Sequence, residues 1–240
     1  MGFAIQVKSL FARYDGNFVL NDVNFEVPLG KICGVIGPNG AGKSTMLKAV
    51  LGVIKSEGEV LFFDEKFEKT RLRVAYLPQR EQIDWDFPVT VDDVVLMGRT
   101  PRKKFYERLN AHDRETANNA LKQVGMIDFA AKRISDLSGG QQKRVFLARA
   151  LAQEADLYLL DEPFAGIDAV SEKAVMDILR SLAESGKTIL MVHHDLQTVR
   201  EYFNYIILLN KTVISHGVCE NVFKQDLIEE TYGLKSAFSK

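Results

Sequence analysis

The chain has 240 residues, 46% hydrophobic and 26% charged, enough to bury one full core with the composition of a soluble globular protein. With 31 basic against 32 acidic residues the net charge is -1, so no excess positive field argues for nucleic acid as a partner. Cys33 and Cys219 are the only two cysteines; far apart and without metal-ligand spacing, they read as core thiols in a reducing compartment.

At the N-terminus, MGFAIQVKSLFARYDG alternates apolar and polar residues like a strand. It lacks the basic start, apolar run and small-residue cleavage site of a signal peptide. Gln6 stands where a myristoylation sequence carries Ser or Thr. Next come short runs that are apolar on every residue: ICGVIG (32–37), VAYLP (74–78), LYLLDE (157–162), TILMVHHD (188–195) and YIILLN (205–210). Such runs suit strands covered on both faces, hence a parallel sheet with helices on each side. Residues 44–52, 141–153 and 171–185 have the helical period, and the last two are followed by a strand within a few residues.

Residues 81–136 differ, being rich in charge and helix formers, and read as a helical insertion with helices near 92–98 and 112–126. The basic stretch between them, GRTPRKKFYERL, is expected to be a solvated loop. The C-terminal tail from about 211 is expected to be short and partly helical. Even Tyr205 to Leu209, among the longest apolar runs, is far too short to cross a bilayer. A membrane role must therefore come through a partner.

The stretch Gly37-Pro38-Asn39-Gly40-Ala41-Gly42-Lys43-Ser44-Thr45 follows a predicted strand and opens a predicted helix, the context in which G-x-x-x-x-G-K-[ST] binds phosphate. Its glycines let backbone N–H groups curl round an anion. The helix aims its positive end at the phosphates, Lys43 reaches the β and γ oxygens, and Ser44 can ligate Mg²⁺. A P-loop site needs a carboxylate at the end of a neighbouring strand, and Asp161 ends LYLL. Glu162 follows and points elsewhere, so one acid can serve the metal while the next takes a proton from water. Gln79, at another strand end, can touch Mg²⁺ or that water. His193 and His194 close TILMVHH where ligands of such sheets collect, and position alone does not choose between the rings.

One stretch remains, LSGGQ at 137–141. Ser138 and Gln141 have the spacing of a helix capping box. That leaves Gly139 and Gly140 unexplained, since glycine in a first turn costs entropy unless something approaches the backbone closely.

In this order, GPNGAGKST, Gln79, LSGGQ, LYLLDEP, AGID and HHD resemble the nucleotide-binding subunits of ATP-binding cassette (ABC) proteins over essentially the full chain. LSGGQ is the specific element, a chance match in roughly one such chain in a thousand or fewer. The resemblance implies an α/β fold: a P-loop ABC-ATPase core with a mostly parallel sheet, an N-terminal antiparallel β region and a helical subdomain. It implies one nucleotide-binding domain over 1–240, with its core about 1–80 and 137–240 and the subdomain about 81–136. It makes Gln79 the Q-loop residue, Glu162 the general base, Asp168 the D-loop aspartate and His194 the switch histidine. Tyr14 is the candidate aromatic for adenine, a buried strand-end tyrosine being the competing reading. The cofactors implied are ATP and Mg²⁺, the latter held by Ser44, Asp161 and Gln79.

The family pattern also answers the glycine question: two copies pair head to tail, and Ser138, Gly140 and Gln141 of one close over the γ-phosphate in the other. With one P-loop and one LSGGQ, the chain needs a second copy. The stretch QREQIDWDFPVTVDDVVLMGR resembles ATPases of the manganese/zinc/iron branch of bacterial importers. That implies a separate membrane permease, an extracytoplasmic binding protein acting indirectly, and a place on the cytoplasmic membrane face. Trp85, Phe87, Val89, Val94 and Leu96 are candidates to line the groove for the permease, with subdomain core as the alternative for Val94 and Leu96. The rival reading is a soluble cassette ATPase serving a cytosolic scaffold, as in iron-sulfur cluster assembly.

Overall fold

The computed structural model describes residues 2–14, 17–79, 88–104 and 106–234. Two long strands, β1 (Phe3–Tyr14) and β2 (Asn17–Pro28), pair antiparallel. β3 (Ile32–Ile36) runs into the glycine loop and α1 (Lys43–Val50). β4 (Ser56–Phe62) returns to β1 and completes a three-stranded sheet in the order β2-β1-β4. The short α2 (Phe67–Thr70) leads to β5 (Val74–Leu77). Helices follow: α3 (Val91–Leu96), a 3-10 segment (Met97–Arg102), α4 (Ala111–Gln123) and α5 (Gly139–Ala152). The chain then alternates β6 (Leu157–Asp161), α6 (Ala169–Glu184), β7 (Thr188–His193), α7 (Val199–Tyr202) and β8 (Tyr205–Asn210). It continues with β9 (Thr212–Val218), α8 (Cys219–Val222) and α9 (Gln225–Thr231).

The second sheet has the order β5-β6-β7-β3-β8-β9, parallel except for β9. The strand period of two divides its apolar residues between two cores. Ile32 and Ile36 of β3 join Leu160, Ile189, Met191, Ile206 and Leu208 under α3 to α6. Cys33 and Val35 join Leu159, Leu190, Val192 and Ile207 under α1 and the antiparallel sheet. Continuous apolar runs are therefore what this sheet demands, and both cysteines are buried. The fold class agrees with the sequence expectation. Among the described residues no helix is long and apolar enough to cross a membrane.

Two expectations need correction. The basic segment after α3 is not simply a solvated loop: Arg99 is 4% exposed. Its guanidinium donates to Ala152 O (2.7 Å), Glu154 Oε2 (2.6 Å) and Asp113 Oδ1 (3.2 Å), so the buried charge is paired. The tail contains a strand, β9, hairpinned onto β8 through Lys211 at φ +60°, as well as short helices. Val94 and Leu96 lie within the core under the helices, which is the subdomain-core alternative named for them, whereas Val89 is half-buried against it. Trp85, Phe87 and the Tyr14 side chain lie outside the described residues.

Candidate nucleotide site

The site forms at the C-terminal ends of β3, β5, β6 and β7, where open parallel sheets collect ligands. Gly37 leaves β3 so close to β8 that a Cβ would lie 2.0 Å from Leu209 O, a clash with rigid backbone. Gly42 caps α1 at φ +93°, where its missing Cβ would also strike Leu20. The loop is further fixed by Ala41 N donating to Pro38 O (3.2 Å) and Lys211 N donating to Ala41 O (2.9 Å).

Lys43 is buried, its Nζ donating to Gly37 O (2.7 Å) and Pro38 O (2.9 Å). Burial lowers its pKa, while the charges of Glu162 and Asp161 pull it back up. An anion arriving at the loop supplies what this ammonium lacks. Ser44, one residue on, donates from Oγ to Asp161 Oδ1 at 2.9 Å, a contact between residues 117 apart in sequence. Asp161 is 1% exposed. Burial raises its pKa, the hydrogen bond from Ser44 lowers it, and Glu162 raises it again. Its Oδ2 has no hydrogen-bond partner. A buried carboxylate oxygen left unpaired beside a hydroxyl is the donor set of a hard cation, so the residues fit Mg²⁺.

Glu162 adopts φ +51°, in the left-handed region that non-glycine residues rarely occupy. Strain of this kind persists where surrounding structure enforces it. Here Gln79 Nε2 donates to Glu162 Oε2 (3.3 Å), and Lys143 Nζ of α5 donates to Glu162 O (3.3 Å) and to Ala165 O. Residues 39–45, Gln79 and Glu162 together line an open cavity of about 240 Å³. The expected Asn39, Gly40, Gly42, Lys43, Ser44, Thr45, Gln79, Asp161 and Glu162 are thus brought together around or beside one cavity.

The other expected residues lie elsewhere. Ser138, Gly140 and Gln141 do not line this cavity. Ser138 is exposed and forms a capping box: its N donates to Gln141 Oε1 (2.9 Å), and Gln141 N donates to Ser138 Oγ (3.3 Å). Gly140 has an intramolecular reason as well, since a Cβ there would sit 3.3 Å from Ile167 Cγ2. Asp168 caps α6, accepting from Ser171 N (2.9 Å) and Oγ (2.7 Å), and those bonds lower its pKa. Strand β7 ends at His193, whose buried ring meets Thr198 Oγ1 at 2.7 Å and packs on Phe203. His194 follows it, exposed. Of the two rings, His194 is the one offered to solvent.

The family profile of ABC transporters matches residues 20–165. This chain belongs to the ABC transporter family. It is 48% identical to the manganese transport system ATP-binding protein MntB of Bacillus subtilis, over 99% of this chain and 96% of that one. It is 50% identical to the zinc transport system ATP-binding protein TroB of Treponema pallidum, over 96% of this chain and 87% of that one. A solved structure of a metal-chelate type ABC transporter in an inward-facing conformation aligns with a TM-score of 0.84 and 29% identity, covering 96% and 89%.

Two groups of this ABC cassette that bear on the site left no sequence signal. Lys143 ties the LSGGQ helix to the loop carrying Glu162, yet in sequence it is an ordinary helical lysine. Tyr76 on β5 stands behind Asp161; burial raises the pKa of its phenol and the Asp161 charge adds to that. Its hydroxyl has no partner. Chemically, the cavity can hold a polyphosphate on the loop N–H groups and Lys43, neutralise it with a cation at Ser44 and Asp161, and present Glu162 to a water.

Proposed function

We propose that this chain is the ATP-hydrolysing subunit of an importer for a manganese-, zinc- or iron-type ion, working on the cytoplasmic face of the membrane. The observation that carries the hydrolytic reading is the Ser44–Asp161 contact on the floor of a phosphate loop, with Glu162 held beside it by Gln79. The metal branch is supported by relatives 43–50% identical that are named for manganese, zinc or metal transport.

The loop N–H groups and Lys43 hold the β and γ phosphates, and Tyr14 is assigned to adenine. Mg²⁺, held by Ser44, Asp161 and Gln79, would neutralise phosphate charge as it develops. Glu162 accepts a proton from the attacking water, Gln79 orients the pair, and His194 contacts the γ-phosphate. Ser138, Gly140 and Gln141 are presented to the triphosphate of a second copy, with Asp168 at the seam between copies. Closing and reopening of that dimer drives a separate permease. The chain acts as one nucleotide-binding domain in which residues 81–136 form the permease-facing helical part. An extracytoplasmic binding protein supplies the ion to the permease and does not touch this chain.

The test is Glu162→Gln, which keeps shape and removes the base. Hydrolysis should fall by roughly 10²–10⁴-fold while ATP binding persists. The variant should run as a dimer in gel filtration with saturating MgATP and as a smaller species without it. A variant that binds MgATP and stays monomeric overturns the two-copy site.

A further inference from the structure

We propose that Tyr76 is a positioning residue for the metal carboxylate: its hydroxyl shares one buried water with Asp161 Oδ2 and holds that carboxylate on Ser44. Register supplies the geometry. β5 and β6 run parallel with Tyr76 opposite Leu159 and Leu77 opposite Leu160. Side chains alternate along a strand, so Leu159 and Asp161 point to one face of the sheet, and Tyr76 points to that same face from the next strand. It is the face covered by α1, which carries Ser44: Leu159 and Tyr76 both pack in the core with Met46 and Leu47. Tyr76 therefore lies diagonally behind Asp161, two residue pairs back, within the reach of a phenol.

The hydrogen-bond inventory supplies the reason. Among the described residues, Tyr76 Oη and Asp161 Oδ2 are both buried side-chain oxygens without a protein partner. Each would cost on the order of 1–3 kcal/mol if left bare. One is a donor and the other an acceptor, and the Asp161 charge is felt at the phenol. A single water donates to one lone pair of Oδ2 and accepts from the tyrosine hydroxyl, and the second lone pair of Oδ2 is left for a cation. Asp161 then has one oxygen fixed by Ser44 and the other fixed from behind, and its rotamer is set before any metal arrives. Tyr76 touches neither nucleotide nor metal and acts only through Asp161.

The proposal rests on the reading of Asp161 as the metal carboxylate, and two measurements separate the two claims. The first needs no ligand. Tyr76→Phe removes only the hydroxyl; if that hydroxyl were a bare orphan, its removal would leave the melting temperature unchanged or higher. The shared water predicts a drop of about 2–4 °C. In an Asp161→Ala background the same substitution should cost nothing. An unchanged or raised melting temperature, or an equal drop in both backgrounds, overturns the proposal. The second measurement is Mn²⁺ binding to the ADP complex, followed by electron paramagnetic resonance. Tyr76→Phe should weaken Mn²⁺ about 3–10-fold while leaving metal-free ADP affinity alone. Unchanged Mn²⁺ affinity, or an equal loss for metal-free ADP, overturns the positioning role. Failure of the unmodified protein to bind Mn²⁺ would instead overturn the metal reading of Asp161.

Discussion

The two ends of α5 are closed by opposite means. At its N-terminus the cap is local: Ser138 and Gln141, three residues apart, satisfy each other, Ser138 is exposed and the turn it caps is half-buried. At its C-terminus the last carbonyls are taken by residues some fifty positions away. Arg99 donates to Ala152 O, while Arg102 donates to Gln153 O and Glu154 O, each at 2.9 Å. Guanidinium groups at a helix C-terminus also meet the negative end of its dipole. One end is thus offered outward and the other is bolted to the segment between α3 and α4. Gln153 Nε2 extends the anchor by donating to Val74 O, the first residue of the strand that ends near Gln79. The difference teaches that the LSGGQ turn can be spared for a partner because the helix is held at its far end.

The largest effect should come from breaking the anchored end. Arg99→Met removes a buried guanidinium from Ala152 O, Glu154 and Asp113, leaving the Ala152 carbonyl and Asp113 Oδ1 without their donor while Lys103 still holds Asp113 Oδ2. Truncating one partner of such a group costs about 3–5 kcal/mol. Urea unfolding should show that loss as a lower midpoint with an unchanged slope. A loss under about 1 kcal/mol would mean that the pairs are as weak as exposed ones, and the contrast between the ends would fail.

The offered end should behave differently. Ser138→Ala removes one cap and should cost only about 1 kcal/mol of stability. Ser138→Arg, which fills the space before the turn, should abolish hydrolysis while that copy still binds ATP. Mixed with Lys43→Ala copies under exchanging conditions, it should regain activity, because one of the two composite sites is then intact. No recovery in the mixture would place the function of LSGGQ within a single copy.

Legibility in the sequence follows the same division between local and distant. The phosphate loop was readable because strand, glycines, lysine and helix are contiguous, and the structure adds the collisions that require Gly37 and Gly42. The capping box was readable from a spacing of three. Pairing of Ser44 with Asp161, 117 residues apart, was expected from chemistry, since a P-loop hydroxyl needs a carboxylate. Arg99 was not readable: within GRTPRKKFYERL it is one basic residue of several, and only the fold brings Ala152 and Glu154 to it. Nor was β9, whose residues are half-buried on one edge and carry no continuous apolar run. Gly140 was half-read, since its contact with Ile167 spans 27 positions.

His193 and His194 repeat the contrast between a locked group and an offered one at adjacent positions, and acid titration sharpens it. Burial, then the neighbouring His194, holds the pKa of His193 down to about 4, against 6.5 for a free ring. Between those values the unfolded chain binds a proton that the folded chain refuses. Stability from neutral His193 is therefore fully present above pH 6.5 and drains away as pH falls toward 4, by at most about 1.4 kcal/mol per pH unit. His193→Phe keeps a ring against Phe203 and removes the titration, so its melting temperature should decline less than the unmodified protein's over that window. Below it a second group takes over. Burial opposes charge on Asp113, but the backbone bond at Asn110 and those from Lys103 and Arg99 outweigh it and hold its pKa down to about 2. That stability is present above pH 3.8 and lost toward pH 2, in both proteins alike. Parallel melting curves for the two proteins from pH 7 to pH 4 would mean that His193 is not locked, and that burial does not distinguish the two rings.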